Sequence, residues 1–339
     1  MKIYFITAIT IFSVSCNVSQ TPSNVTNRAP AKASPVDYAN TITTADLKKY
    51  LYTFAGDEME GRMTGTPGQK KAAAYLKNFY VKEGVPAPVA KDGYFQKIPA
   101  AYFNGRAESS ENVVAFIKGS EKPDEIIVLS AHYDHVGTRN GKIYNGADDD
   151  GSGTVGLLEI AQAFQKAVKE GNGPKRSILF LHVTAEEIGL YGSKYYTDNP
   201  LFPLENTVAN LNTDMIGRID PDKKDSPNYV YLIGSDKLSQ ELHDVSEAAN
   251  SKYVNLELDY TYNDENDPNR FYYRSDHYNF AKNNVPIIFY FNGVHEDYHK
   301  HTDTPDKIEY GLLEKRAKLM FYTAWELANR DARIRVDKL

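Results

Sequence analysis

GADDDGSG, residues 146–153, sets three consecutive aspartates between glycines and runs straight into the apolar segment TVGLLEIAQAFQKA, residues 154–167. Adjacent carboxylates repel one another and compete for local hydrogen bonds, so such a run belongs at a helix cap, on a solvated loop or around a cation. Two readings follow. In one the stretch is a helix start, with Asp150 or Ser152 as N-cap and the acids favoured by the helix dipole. In the other it is a site, and the remaining acids and histidines decide whether that holds.

Downstream of the helix at 152–169, strands and helices alternate: SILFLHV (177–183) reads as a strand, IGLYGSKYYT (188–197) as a helix and TVANLNT (207–213) as a strand. YVYLIG (229–234) and VPIIFYF (285–291) are further strands, KLSQELHDVSEAAN (237–250) and SDHYNFAKN (275–283) helices, and the segment 309–333 has helical apolar spacing. Upstream, Thr43 or Thr44 caps a helix over ADLKKYLYTFAG, a glycine-rich loop follows, and Pro67 opens a second helix that ends at Gly84. NVVAFIKG (112–119) and DEIIVLSAH (124–132) are spaced as neighbouring strands. Continuously apolar strands separated by helices predict a sheet buried on both faces, an α/β architecture. Residues 221–228 and 259–275 read as long surface loops, a rim or lid.

The 339 residues carry a net charge of -6 with no basic tract, which argues against a nucleic-acid partner. MKIYFITAITIFSVSC, residues 1–16, joins Lys2 to an apolar run and a small residue before Cys16, the single cysteine, and is too short for a permanent span. It reads as an export signal, and it resembles a bacterial lipoprotein signal in which Cys16 takes the lipid; the expected location is membrane-anchored and facing the periplasm, or otherwise secreted. Residues 17–43 are polar and proline-punctuated, a flexible tether, so residues 44–339 form the expected single domain.

His132 ends one predicted strand and Asp134 follows it; the triple aspartate lies in the next loop; Glu186 and Glu187 follow SILFLHV; Asp214 follows TVANLNT; His299 lies in the loop after VPIIFYF. All stand at carboxyl ends of strands, where open α/β sheets bind their ligands. Imidazoles mixed with carboxylates suit zinc, and a thiolate-bound structural zinc is ruled out here. Two histidines with three or four acids exceed the needs of one tetrahedral ion, whereas a metal pair sharing one aspartate uses them all. Glu186 and Glu187 point to opposite sides of an extended segment, so one readily ligates and the other faces substrate as a base. His182, His243, His135, His277 and His295 read as structural or supporting side chains.

AHYDHVG (131–137), NGADDDGSG (145–153), TAEEIGLYGS (184–193), NTDMIG (212–217), RSDH (274–277) and DYHKHTDTPDKI (297–308) together resemble the M28 family of zinc-dependent aminopeptidases. The resemblance implies a three-layer α/β/α fold around a central, mostly parallel mixed sheet, and two zinc ions. His132 and Asp214 then resemble ligands of one zinc, Glu187 and His299 ligands of the other, and Asp149 the bridge, with Asp148 and Asp150 as flank and cap. Asp134 resembles the acid that orients the His132 imidazole, Glu186 the general base, Tyr298 a tyrosine that steadies the oxyanion, and Ser275 a serine that supports the last histidine. His301 is the competing candidate for that last ligand. The implied chemistry removes the first residue from a peptide with a free N-terminus, water being activated between the zincs. A carboxypeptidase or deacylase on the same scaffold is the alternative, and a glutaminyl cyclase or a metal-free binding module the more distant ones.

Overall fold

The apolar runs form ten strands among the described residues: β1 (Phe95–Ile98), β2 (Ser110–Ile117), β3 (Lys122–His132), β4 (Thr138–Arg139), β5 (Lys142–Ile143), β6 (Arg176–Val183), β7 (Thr207–Thr213), β8 (Tyr229–Ile233), β9 (Glu257–Asp259) and β10 (Ile287–Phe291). The structure is a computed structural model that describes residues 1–3, 34–90 and 93–338. β4 and β5 make a small hairpin, and the other eight strands form one sheet in the order β1-β2-β6-β3-β7-β10-β8-β9. The four central strands, β6, β3, β7 and β10, are mutually parallel; β2 and β8 join them antiparallel on either side, with β1 antiparallel to β2 and β9 parallel to β8 at the edges.

The α-helices are α1 (Pro35–Ala39), α2 (Thr44–Phe54), α3 (Pro67–Glu83), α4 (Gly153–Lys169), α5 (Tyr191–Asp198), α6 (Gln240–Ala249), α7 (His277–Ala281) and α8 (Tyr310–Asn329). α4 and α8 pack on one another and on β3, with Phe164 against Phe321 at 4.9 Å between ring centroids. α5 and α7 cover the other face, where Tyr196 and Phe280 close over Val128, Leu179, Leu181 and Ile287. Each such buried side chain contributes about 1.5–3 kcal/mol of transfer free energy. The result is the expected α/β/α sandwich, and β6, β7 and β10 are buried along their length, as is β3 from Ile126 onward, because both faces are covered.

Two expectations are corrected. β2 and β3 are not neighbours: β6 lies between them, antiparallel to β2 and parallel to β3. The connecting turn wraps the start of β6, with Ser120 N–H donating to the Pro174 carbonyl and Glu121 N–H to that of Lys175. A Cβ on Gly119 would stand 2.5 Å from the Lys175 oxygen, so only glycine permits this crossing. The tether also ends earlier than residue 43. Ser34 and Asp37 form a capping box for α1, and Tyr38 is buried with its ring stacked on Trp325 at 5.4 Å. The signal and lipidation expectations on residues 1–16, and most of the tether, fall largely outside the described residues. No helix among the described residues is long and apolar enough to cross a membrane.

Glu159 on α4 is fully buried; one carboxylate oxygen accepts the Thr43 N–H at 3.1 Å and the other has no partner. Burial pushes its carboxyl from 4.5 up to about 8. Between those values the folded chain holds a proton that the unfolded chain has released, so stability falls as pH rises through that window. Glu159→Gln keeps an acceptor for Thr43 and removes the titration. Its melting temperature should exceed that of the parent at about pH 8.5, with the difference closing near about pH 4.5, read by thermal unfolding at both values.

Candidate metal centre

Four parallel strands end at one edge of the sheet, and the loops that leave them carry the polar residues. His132 is the last residue of β3, Asp214 follows β7, Glu186 and Glu187 lie three and four residues past β6, and His299 lies in the loop after β10. The triple aspartate is bound to that edge by three different sets of bonds. Asp150 accepts the N–H groups of His132 at 3.2 Å, Met215 at 3.0 Å and Gly153 at 2.9 Å. The last of these caps α4; Ser152 has no capping bond and instead accepts Ile216 N–H at 2.9 Å. Asp148 accepts Gly217 N–H at 2.6 Å and meets His295 Nε2 at 3.1 Å. The N–H groups of Asp148 and Asp149 both point to the Asp303 carboxylate. Gly146 precedes the run at φ 52°, and a Cβ there would lie 2.3 Å from the Asp149 carbonyl oxygen.

With its neighbours so occupied, Asp149 alone of the three directs its side chain into the centre. Its Oδ1 lies 3.2 Å from His132 Nε2, which is also 3.5 Å from Asp214 Oδ1. Its Oδ2 lies 3.1 Å from His299 Nε2, which is 3.2 Å from Glu187 Oε2. The two oxygens of one carboxylate thus face two separate ligand groups. His299 reaches inward from a left-handed backbone, φ 54°. His301, the competing candidate, instead accepts a hydrogen bond from Lys142 at 2.6 Å on the β5 hairpin.

The charges leave the site short of cations. Burial works against protonation of His132, yet Asp214 and Glu186 hold its pKa well above the ordinary imidazole value. Burial likewise opposes the His299 imidazolium, but its hydrogen bonds to Asp149 and Glu187 hold it up at about 10. Burial raises the Glu187 carboxyl, while His135 and His299 beside it outweigh that effect and bring it down to about 2. Burial pushes Glu186 well above the carboxylate range, and the like charges of Asp214 and Glu187 add to the push. Buried His132 Nε2, Asp149 Oδ2, Glu187 Oε1 and His135 Nδ1 crowd one another within ion-pair range, yet none makes a hydrogen bond of good geometry. Buried polar atoms left unpaired are costly, and nitrogen and carboxylate donors converging in this way are the set zinc takes. The residues therefore fit the metal that the sequence motifs imply.

Some expected contacts differ. His132 Nδ1 is oriented by Asp134, but through the backbone carbonyl at 3.1 Å, with the carboxylate Oδ1 farther off at 3.8 Å. That carboxylate is already engaged, accepting Thr64 Oγ1 at 2.9 Å and Glu186 N–H at 3.1 Å. Ser275 accepts from Asn212 on β7 at 3.0 Å rather than supporting His299. Tyr298 does lie at the centre, its ring stacked on His299 at 3.9 Å. His135 belongs there too, with Nδ1 2.6 Å from Glu187 Oε1 and 3.8 Å from Asp149 Oδ2. Its signal was the second imidazole of AHYDHVG. Fully buried Arg62 donates to the carbonyls of Tyr133, Phe54, Asn145 and Gly146, bracing the loops that carry His132 and Asp149. No sequence signal distinguishes it from a solvated arginine.

A cavity of about 260 Å³ opens on the centre, walled by Met215, Phe271, Phe289, Phe291 and Val294, with Glu186 and Tyr298 on its lining. Residues 112–324 match the family model for peptidase family M28. Leupeptin-inactivating enzyme 1 of Streptomyces exfoliatus is 25% identical over 94% of this chain and 70% of its own length. Aminopeptidase NAALADL1 of Mus musculus is 38% identical over 32% of this chain, a match that spans 14% of that protein. The LapA aminopeptidase of Legionella pneumophila superposes with a TM-score of 0.69 at 19% identity, covering 96% of this chain and 80% of that one, a likeness of fold.

Arg62→Met removes a buried cation and takes its donors from the Tyr133, Phe54 and Asn145 carbonyls, while the Gly146 carbonyl keeps the Gly151 N–H. Urea unfolding should show a loss of at least about 3 kcal/mol, since each unsatisfied buried acceptor costs about 1–3 kcal/mol.

Proposed function

The chain belongs to peptidase family M28, and on that premise we propose that it is a zinc aminopeptidase which removes the first residue of peptides, two zinc ions sharing Asp149. The observation that carries this reading is the division of the Asp149 carboxylate, one oxygen toward His132 and the other toward His299. His132 and Asp214 complete the first position; Glu187 and His299 complete the second. Zinc bound by such residues lowers the pKa of water and polarises a carbonyl.

The chain's own groups do the rest. Glu186 sits on the cavity wall, its backbone held by Asp134, and serves as the general base that takes the proton of the attacking water and passes it to the leaving amine. Tyr298 supports the carbonyl oxygen as it gains charge, its hydroxyl kept protonated because burial raises its pKa. The apolar walls receive the side chain of the first residue, and the carboxylates beside them favour a substrate whose α-amino group is free and positively charged.

A matched pair of substrates tests this reading. Zinc-replete protein should hydrolyse leucine p-nitroanilide and leave its N-acetyl derivative intact; comparable or faster hydrolysis of the acetylated compound would replace the aminopeptidase reading with a deacylase. Glu186→Gln should retain its zinc by elemental analysis while turnover falls by about 10²–10⁴. Asp149→Ala, by contrast, should lose metal from both positions, and two zincs still bound in that variant would remove Asp149 as the bridge.

A further inference from the structure

Arg274 lines the same cavity and is exposed. Its guanidinium lies over the Phe271 ring at 4.9 Å, and one of its nitrogens donates to the Tyr298 hydroxyl at 3.3 Å. Nearby Arg218 is bound to Asp297 at 3.1 Å; for Arg274 no carboxylate stands within ion-pair distance among the described residues. A guanidinium that rests on one aromatic ring and is tethered to the hydroxyl of another keeps most of its N–H fork available, and that fork matches a carboxylate. The position is also close to the chemistry. Tyr298 stacks on His299 at 3.9 Å, so a single tyrosine separates Arg274 from a residue of the candidate metal centre. The cavity therefore has an acidic end at Asp149, Glu186 and Glu187, where His299 also sits, apolar walls, and one guanidinium.

We propose that Arg274 is a specificity-determining residue that binds a carboxylate of the substrate only a few bonds from the scissile amide. This rests on the aminopeptidase reading and deepens it: the preferred substrates are short zwitterions, with the ammonium toward the acids and the carboxylate toward Arg274. A long neutral peptide offers no anion at that distance. The carboxylate has two sources, the free C-terminus of a dipeptide or an acidic side chain beside the cleaved bond, and both present the same planar anion.

Two ratios of kcat/KM read the proposal in zinc-replete protein: Leu-Ala against Leu-Ala amide, and glutamate p-nitroanilide against leucine p-nitroanilide. At least one ratio should favour the carboxylate by about tenfold, the factor that one charge-assisted contact supplies. Arg274→Gln should bring that ratio to within about twofold, chiefly through KM, and Arg274→Lys should restore part of it. Collapse of the first ratio identifies a C-terminal carboxylate as the anion, and collapse of the second an acidic side chain. If leucine p-nitroanilide is cleaved but neither ratio favours the carboxylate, or if Arg274→Gln lowers both members of a pair equally, the proposal is overturned and the aminopeptidase reading stands. If no free-amine substrate is cleaved at all, both are overturned.

Discussion

The carboxylate of Asp150 accepts backbone N–H bonds from three segments at once: the end of β3 at His132, the loop after β7 at Met215, and the first turn of α4 at Gly153. A buried carboxylate without such donors would carry a large desolvation cost. With them it becomes the joint at which a strand, a neighbouring strand and a helix are set at fixed positions. His132 ends one of the strands so joined, Asp214 directly follows the other, and Asp149 is the residue adjacent to Asp150. The spacing of these three groups is therefore a consequence of one side chain that never enters the centre.

The same economy of position explains why three consecutive acids are tolerated. Asp148 is matched by His295 and the Gly217 N–H, Asp150 by backbone donors, and Asp149 by two imidazoles. Arg62 adds a buried positive charge behind the loop; burial lowers its pKa, Asp303, Asp134 and Asp149 oppose that, and the balance stands at about 10. Each acid thus has its own partners, although for Asp150 the burial and the like charges of Asp214 and Asp149 outweigh His132 and the backbone donors and hold its pKa well above the ordinary carboxylate value. The helix-start reading of GADDDGSG is seen in Asp150, which caps the helix, and the same cap turns Asp149 toward His132 and His299.

What the sequence discloses and what it hides follow from the range of the interactions. Apolar periodicity is local, and TVANLNT appears as β7 over the same seven residues, 207–213. The gathering of His132, Asp149, Glu187, Asp214 and His299 was legible because every parallel strand in an α/β sheet delivers its following loop to the same edge. Pairing between strands is not local. The straddling of β6 by β2 and β3 depends on Gly119 lying against Lys175, residues far apart in the chain. Arg62 and His135 stayed hidden for a related reason, since their roles rest on partners contributed by loops 71 to 84 residues away, or on the turn that brings His135 onto Glu187. Asp134 shows a finer limit: the residue was identifiable, but which of its oxygens meets His132 depends on Thr64 and Glu186 having claimed the carboxylate first.

Glu186 and Glu187 are chemically identical neighbours, and their surroundings give them opposite tendencies. Glu187 lies between His135 and His299, whose positive charge overcomes burial and keeps it a permanent anion. Glu186 has burial and the like charges of Asp214, Glu187 and Asp276 against its ionised form, with only the attraction of His132 opposing them, so it holds a proton far more readily. Neighbours pushed apart in this way suit the proposed roles, Glu187 as ligand and Glu186 as the group that carries protons. The pair sits on a turn, with the Gly189 and Leu190 N–H groups donating to the Glu186 carbonyl, rather than on the expected extended segment, and only Glu187 has His135 and His299 beside it. Exchanging the roles would require moving His135 and His299, not the glutamates, which places the division of labour in the loops after β3 and β10 rather than in the Glu-Glu pair itself.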